Sequence, residues 1–324
     1  MCLFTNFKNG SKLEEMTKIN YEEIIEKFPW IVLKNQNCIL SPDSDGLLCG
    51  LLLSHYLKWN IVGFYDGKIL LLNKNFKVDN CIFIDMEIFR KDIKSVGHHM
   101  NIHNLSVDNQ KVEIMLSNCI NPNLLRRFDR AHNFNQKYPL GSIHLLMYIL
   151  ENRFPGMINI NDDGLAAIFF ADGVWKILFK YTNNILDWFD YLHAGTESIW
   201  WQKLQKISVL ELINGIDNLL KRFIDIHPEN KNWYGHIDIS HFDNQKKLLE
   251  KNLNLFDQII GWRYDKQRWL IDNFSEYHFN KKIFEGSRSQ DVFMEIIRKK
   301  PISLAMTNGN TMQYTLEEPD KLPI

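Results

Sequence analysis

The chain has 324 residues, of which 45% are hydrophobic and 24% charged, as in ordinary globular proteins. This length suits two lobes, each with its own core. The 38 Lys and Arg residues nearly balance the 39 Asp and Glu residues. No overall positive field therefore attracts nucleic acid, and any polyanion must meet a local basic patch.

The five cysteines are scattered without Cys-x-x-Cys spacing, so neither a disulfide framework nor a zinc ribbon is expected. The longest apolar run, near Gly46 to Leu53, is far shorter than the roughly 20 residues of a membrane span. The first residues also lack the charged start and apolar core of a secretion signal. These features predict reduced thiols, no membrane association and a cytoplasmic location.

Short apolar runs alternate with helical patterns in the first part of the chain. Strands are predicted at 37–40, 61–64, 68–72, 80–84, 94–96 and 112–120. Helices are predicted at 21–28, 47–57, 141–150 and 163–170. This alternation predicts an α/β fold, with a doubly wound, mainly parallel sheet in a lobe at 20–195.

The pattern changes near Ala194, where long helical stretches begin. We expect a helical connector at 196–229 and a smaller α+β lobe at 230–324 that binds substrate or a protein partner. Within that lobe, a helix is predicted at 245–274. A hairpin is predicted from 302–306 to 311–316, across the turn Asn308-Gly-Asn310.

Acids and histidines follow three of the predicted strands. Asp43 and Asp45 follow the first, Asp85 follows Cys81-Ile-Phe-Ile84, and His98 and His99 follow the run that ends at Val96. Because the carboxyl ends of parallel strands meet at one edge of a sheet, these side chains are expected to converge on a dinuclear metal site. In an alternative interpretation, the acids cap helices or end strands and the histidines lie in a solvated loop.

Four motifs, in order, resemble those of the DHH phosphoesterase superfamily, and most closely those of RecJ-type single-strand exonucleases. They are Asp43-Ser-Asp-Gly46, Phe83-Ile-Asp85, Gly97-His-His99 and Phe170-Ala-Asp-Gly173. Cys119-Ile-Asn-Pro-Asn123 and Lys137-Tyr-Pro-Leu-Gly-Ser-Ile-His144 add to the resemblance. The similarity covers roughly residues 37–192.

The resemblance implies two divalent ions, and carboxylates with one imidazole suit Mn²⁺ or Mg²⁺. Asp43 would hold the first ion, while Asp45, His98 and Asp172 would hold the second. Asp85 would bridge both ions, and His99 would face the scissile phosphate. Asp172 also fits an ordinary helix-ending Ala-Asp-Gly turn.

The chain departs from the family pattern at three places. Relatives have a further His or Asp just before the paired acids, where this chain has Ile39 and Ser41. Gly97 replaces the first Asp of Asp-His-His. The glycine- and histidine-rich substrate motif of the usual C-terminal domain is not recognisable, and Arg288 in Gly286-Ser-Arg288 is a candidate substitute.

Further candidates for substrate binding lie after residue 120. His144 is a candidate phosphate neighbour, and Arg126 belongs to a basic cluster that also contains Arg127, Arg130 and Lys137. A solvated charged face explains that cluster equally well. The tryptophans at 200, 201 and 233 fit base stacking, although core packing is the favoured interpretation.

Together these features predict a metal-dependent phosphodiesterase that hydrolyses single-stranded DNA or RNA, or short oligonucleotides, from an end. One alternative is a hydrolase of the same superfamily that acts on a cyclic dinucleotide, pyrophosphate or polyphosphate. Another is a degenerate member that binds nucleic acid or protein without catalysis.

Overall fold

The computed structural model of the protein describes residues 18–107, 109–192, 199–286, 289–307 and 310–324. The strands are β1 Asn37–Leu40, β2 Asn60–Tyr65, β3 Ile69–Asn73, β4 Cys81–Ile84, β5 Lys94–Val96, β6 Cys119–Ile120, β7 Phe274–Glu285, β8 Ser303–Met306 and β9 Thr311–Pro319. The helices are α1 Tyr21–Lys27, α2 Ser44–Leu57, α3 Gln110–Met115, α4 Pro122–Leu125, α5 Arg130–Asn133, α6 Ser142–Arg153, α7 Gly164–Phe170, α8 Val174–Lys180, α9 Thr182–Leu192, α10 Ile199–Lys206, α11 Val209–Ile226, α12 Phe242–Ile260 and α13 Gln290–Arg298. Short 3₁₀ turns occur at 29–32, 78–80, 134–136, 171–173 and 239–241.

All nine strands form one mixed sheet in the order β6-β5-β4-β1-β2-β3-β7-β9-β8. Its first five strands are parallel to their neighbours, and β3, β7, β9 and β8 continue it in antiparallel pairs. The expected α/β class with a parallel core is therefore confirmed. Because β7, β9 and β8 extend the sheet of the first part of the chain, the division into two lobes stays a prediction.

Alternate residues of the central strands belong to two different apolar cores. Cys38 and Leu40 of β1 face the core that is covered by helices, which include α2 and α6. Ile39 of β1 and Phe83 of β4 point to the opposite face, where a second core includes Phe279 of β7. This is the two-residue alternation of a β-strand, with both faces buried.

The sheet curls so far that its last strand returns to the segment after β4. Ser303 of β8 forms a bridge with Ile88, and the Phe89 N–H donates to the Ile302 carbonyl across 2.7 Å. Seven strands, β4-β1-β2-β3-β7-β9-β8, thus form a nearly closed ring. The second core takes its strand residues from β1, β2, β3, β4 and β7. The carboxyl ends of β1 and β4 lie at the mouth of this ring.

Two predicted elements in the chain are wrong. Residues 112–120 form helix α3 and the two-residue strand β6, not one strand. Val112 and Leu116 are buried whereas Ile114 is 51% exposed, so the buried spacing is that of a helix, although the apolar residues alternate in sequence.

The helix predicted at 245–274 is α12, which ends at Ile260 because Gly261 adopts a left-handed conformation with φ +90°. Strand β7, which sequence analysis missed, follows at Phe274. Its mixture of lysines, aromatics and acids does not alternate simply, because it pairs with β3 along one half and with β9 along the other.

The late hairpin is confirmed by the pairing of β8 with β9, from Ser303 opposite Thr315 to Met306 opposite Met312. Residues 308 and 309 of its turn lie outside the described residues. Among the helices of the described ranges, none is long and apolar enough to cross a membrane.

Candidate metal centre

Three separate segments bring four potential ligands together. Asp85 follows β4 directly, His98 and His99 follow β5, and Asp172 lies in the turn between α7 and α8. One ligand atom of each residue lies within 4.8 Å of those of the others. The convergence expected at the edge of a parallel sheet is therefore present for Asp85, His98 and His99, and Asp172 joins them from a turn between two helices.

The histidines and acids of this cluster are in direct contact. His98 Nε2 lies 2.7 Å from Asp172 Oδ2, and His98 Nδ1 lies 2.9 Å from the hydroxyl of Ser142. That hydroxyl donates to Asp85 Oδ1 across 2.8 Å. His99 Nε2 is more distant, at 3.9 Å from the same oxygen.

Both aspartates of the cluster have left-handed backbones. The φ angle is +69° at Asp85 and +52° at Asp172, a region that non-glycine residues rarely adopt and that costs free energy. Such conformations concentrate at functional sites, where the direction of a side chain matters more than local backbone energy.

Asp43 caps α2, as the alternative interpretation of the sequence proposed. Its Oδ1 accepts the Gly46 N–H across 3.0 Å, and its Oδ2 accepts the hydroxyl of Ser41 across 2.7 Å. The same carboxylate lines the cavity into which Asp85 and His99 open. Asp43 thus combines a helix cap with a position beside the cluster.

Asp45 is fully buried and joins α2 to the start of α6. Its two oxygens accept the N–H groups of Ser142 and Ile143, across 2.6 and 3.0 Å, where the helix dipole favours a carboxylate. Gly141 makes this approach possible, since a Cβ at that position would lie 2.8 Å from Asp45 Oδ2. The predicted role of Asp45 as a metal ligand stays a prediction.

The carboxylates repel one another inside the protein. Burial, together with neighbouring carboxylates, raises the pKa of Asp45 to about 7 and raises the pKa of Asp43 and Asp85. Asp85 Oδ2 is buried and accepts no hydrogen bond from the described part of the chain. An excess of hard oxygen donors with a vacant lone pair fits a divalent cation of the Mn²⁺ or Mg²⁺ class.

His98 and Asp172 shift each other's pKa in opposite directions. Burial alone would lower the pKa of His98, but the carboxylate of Asp172 raises it above its usual value. Likewise, burial would raise the pKa of Asp172, and the His98 imidazole lowers it. Without a cation, the two groups therefore form an ion pair with each other. With a cation bound, both would instead act as its ligands.

A buried carboxylate supports the loop that contains the histidines. Glu87 Oε1 accepts the Met100 N–H across 2.9 Å and the side-chain amide of Asn121 across 2.6 Å. A Cβ on Gly97 would lie 2.7 Å from Glu87 Cδ. The carboxylate of Glu87 thus occupies space that a side chain at position 97 would need.

His99 is held by the C-terminal hairpin. The Met306 N–H donates to the His99 carbonyl across 2.9 Å, and Lys137 Nζ donates to the Met306 carbonyl across 3.3 Å. Burial lowers the pKa of the His99 imidazole, and His98, Lys137 and Lys281 lower it further. His99 is therefore neutral at ordinary pH and able to donate a hydrogen bond.

The other predicted binding residues lie in different surroundings. Arg126 forms a two-point ion pair with Asp187, with N–O distances of 2.7 and 3.1 Å. His144 is fully buried; its Nδ1 accepts the Gly141 N–H, and its Nε2 has no partner among the described residues. Phosphate binding by Arg126 would require its ion pair to open, so that role stays a prediction, as does the role of His144.

The remaining candidates divide into core, surface and undescribed residues. Trp200 and Trp233 are buried, which agrees with core packing, and Trp201 lies in α10. Arg127 is exposed, whereas Arg130 is buried. Arg288 lies outside the described residues.

Four residues of the site were missed by sequence analysis: Ser142, Glu87, His236 and Lys281. Ser142 lies inside the motif Lys137–His144, and Glu87 lies two residues after Asp85. Their positions in or near these motifs were the signal that could have identified them. His236 and Lys281 line the cavity from segments distant in sequence, and no local pattern marks them.

No protein-family model, curated protein or solved structure matches the chain. Its function must therefore be inferred from the residues of the site and their geometry.

Proposed function

We propose that the protein is a divalent-metal-dependent phosphodiesterase of the DHH type that hydrolyses single-stranded nucleic acid or short oligonucleotides from an end. The observation that supports this most is the convergence of Asp85, His98, His99 and Asp172 from three segments of the chain. Two of these residues have left-handed backbones, which favours function over chance proximity.

The donor set fits two hard cations. Asp85 and Asp43 would contribute carboxylates from the strand ends, while His98 and Asp172 would contribute neighbouring nitrogen and oxygen atoms. When bound, Mn²⁺ or Mg²⁺ supplies Lewis-acid chemistry, in that it lowers the pKa of water and neutralises phosphate charge.

The chain's own groups orient the reactants. Ser142 fixes the ring of His98, and Glu87 fixes the loop that presents both histidines. His99, neutral and about one-third exposed, donates a hydrogen bond from Nε2 to a nonbridging phosphate oxygen. This hydrogen bond strengthens as negative charge develops on the phosphate, as transition-state stabilisation requires.

The test is release of mononucleotides from end-labelled single-stranded DNA and RNA in the presence of Mn²⁺. Asp85→Asn keeps the shape of the side chain but removes its charge, and we expect at least about a 10³-fold loss of kcat/KM. Asp79→Asn, an exposed acid in the turn before β4, is the matched control and should retain wild-type activity. A chelator should abolish turnover, and undiminished hydrolysis by Asp85→Asn would contradict the proposal.

A further inference from the structure

A cavity of about 280 Å³ lies at the mouth of the ring of strands. Asp43, Asp85 and His99 line one side of it, and residues of β7, β8 and β9 line the other. His236, from the segment between α11 and α12, also lines this cavity. It lies outside residues 37–192, the part of the chain with the family resemblance, so no motif assigns it a role.

The backbone next to His236 is bonded to the backbone next to Asp43. The Ile237 N–H donates to the Pro42 carbonyl across 2.7 Å. Because Ile237 directly follows His236 and Pro42 directly precedes Asp43, this hydrogen bond brings the two side chains to the same side of the cavity. Burial and Asp172 raise the pKa of Asp43, whereas the nearby His236 lowers it, as a close imidazole would.

Further contacts hold the segment that presents His236. Trp233 is buried, and its Nε1 donates to the His236 carbonyl across 2.5 Å. The side-chain amide of Asn252, in α12, donates to the Gly235 carbonyl across 3.1 Å. Gly235 has φ +87°, and a Cβ there would lie 3.2 Å from the same amide, so glycine lets the segment pack closely on α12. The position of His236 beside Asp43 is therefore fixed by the fold.

The imidazole of His236 is available to a ligand. Its residue is exposed, and its ring forms no hydrogen bond with the part of the chain that the structure describes. A neutral imidazole has one nitrogen with a lone pair, which is the donor that binds metal ions.

Oxygen donors for the same ion are present on Asp85 and Asp43. Asp85 Oδ1 accepts the Ser142 hydroxyl, whereas Oδ2 is buried and accepts no hydrogen bond from the described residues. Buried polar atoms normally have a partner. Each oxygen of Asp43 accepts a single hydrogen bond, so each keeps a lone pair for a cation.

We infer that His236 binds a divalent cation together with Asp43 and Asp85, apart from the ion held by His98 and Asp172. The inference rests on the proposed function, because both require a dinuclear metal centre, and it deepens that function by identifying a nitrogen ligand for the first ion. A residue outside the predicted catalytic lobe at 20–195 would thus complete the centre.

This ligand set favours Mn²⁺ over Mg²⁺. Imidazole nitrogen suits transition metals, whereas Mg²⁺ prefers oxygen ligands and keeps several waters. The loss of His236 should therefore weaken Mn²⁺ binding more than Mg²⁺ binding.

The test is a calorimetric Mn²⁺ titration of chelator-treated, full-length protein without nucleic acid. We expect the wild type to bind two ions and His236→Ala to bind one of them at least about 10- to 100-fold more weakly, since the loss of even an indirect partner of a metal has that cost. His241→Ala removes another exposed histidine, one that lies 3.5 Å from Asp238, and should bind like the wild type. Wild-type affinity at both sites of His236→Ala, or no Mn²⁺ binding by the wild type, would overturn the inference.

Two further measurements distinguish a metal ligand from a residue that only shapes the loop. The same titration with Mg²⁺ should show a smaller loss in His236→Ala than the titration with Mn²⁺. Free imidazole should restore Mn²⁺ affinity to His236→Ala but not to His236→Gln, in which the amide occupies the space. Equal losses for the two metals, together with no effect of imidazole, would also overturn the inference.

Hydrolysis of single-stranded DNA and RNA separates this inference from the proposed function. If the wild type hydrolyses neither polymer but His236→Ala loses Mn²⁺ affinity as expected, the proposed function fails and the role of His236 stands. If the wild type is active and His236→Ala binds both ions normally, the role of His236 fails and the proposed function stands.

Discussion

Ser142 orients the imidazole of His98, since its Oγ lies 2.9 Å from His98 Nδ1. The hydroxyl gives its own hydrogen to Asp85 Oδ1, 2.8 Å away, and therefore accepts the hydrogen of Nδ1. This assignment follows from the hydrogen-bond network. Nε2 faces Asp172 across 2.7 Å and donates to it in the metal-free protein. Because Ser142 keeps the hydrogen on Nδ1, Nε2 is the nitrogen that would bind a metal once it loses its own hydrogen.

Ser142→Ala should weaken Mn²⁺ binding by about 10- to 100-fold, the usual cost of losing a group that orients a metal ligand. Without the hydroxyl, the ring of His98 is free to turn and Asp85 loses a donor. The measurement is a Mn²⁺ titration by calorimetry on chelator-treated protein. Ser54→Ala removes another buried hydroxyl, one bonded to the Leu51 carbonyl within α2, and should leave the affinity unchanged. Wild-type affinity in Ser142→Ala would contradict the assigned role.

The metal-free protein should lose stability as the pH rises from about 6.5 to 8. The carboxyl pKa of Asp45 is about 7 in the folded protein, against about 3.9 when unfolded. The folded state thus binds more protons than the unfolded state in this range, and the free energy of unfolding falls with pH. The loss is about 1.4 kcal/mol per pH unit for each extra proton held. The raised pKa values of Asp43, Asp85 and His98 act in the same direction. The pKa values of His99 and His144, lowered to about 3, act in the opposite direction, but only below the unfolded histidine pKa of about 6.5.

Urea unfolding of chelator-treated protein at several pH values tests this expectation. Mn²⁺ should remove most of the decline, because it neutralises the same charges and binds only the folded state. Asp85→Asn should be more stable than the wild type at pH 8 without metal and should gain little from Mn²⁺. A stability that rises between about pH 6.5 and 8 in the metal-free wild type would refute the expected repulsion between the carboxylates.

The carboxyl ends of neighbouring parallel strands meet at one edge of a sheet. This rule predicted the part of the site that depends on topology alone. Asp85 and the two histidines follow neighbouring parallel strands, so their proximity was implied once the strands were recognised. Asp172 reached the list only through the resemblance, because a turn between two helices has no fixed relation to the sheet.

The second side of the cavity could not be predicted from the sequence. It depends on the curl that brings β8 back to Ile88, and curl arises from strand twist and packing summed over the whole sheet. Strand β7 was also missed, so Lys281 had no place in the expected fold. The capping contacts of Asp43 and Asp45 were correctly raised as an alternative, although the helix that Asp45 caps is α6 rather than its own.

Gly97→Asp, which would place an acid directly before His98 and His99, should destabilise the protein. Its Cβ would lie 2.7 Å from both Glu87 Cδ and the Met86 carbonyl carbon, and overpacking of this kind costs about 1–3 kcal/mol. Glu87→Gly should also destabilise, because the Met100 N–H and the Asn121 amide lose their shared acceptor.

A double-mutant cycle separates steric conflict from general sensitivity of the loop. In the double variant Gly97→Asp/Glu87→Gly, the contact with Glu87 is removed and a carboxylate is returned, while the contact with the Met86 backbone remains. The two costs should therefore be less than additive by about 0.5–3 kcal/mol. Free energies of unfolding for the four proteins give this coupling. Additive costs would show that Glu87 and Gly97 do not compete for the same space.

Arg126 is expected to stabilise the fold through its ion pair. Its side chain is 8% exposed and its guanidinium lies 4.6–4.7 Å from the ring centres of Phe128, Trp188 and Tyr191. Arg126→Met should lower the free energy of unfolding by about 1–3 kcal/mol, a modest value because Asp187 is 35% exposed and water screens the pair. The exposed Arg127→Met is the control and should change stability little. If Arg126 instead binds phosphate, Arg126→Met would raise KM for an oligonucleotide at temperatures where both variants are fully folded, whereas an unchanged KM with reduced stability supports the structural role.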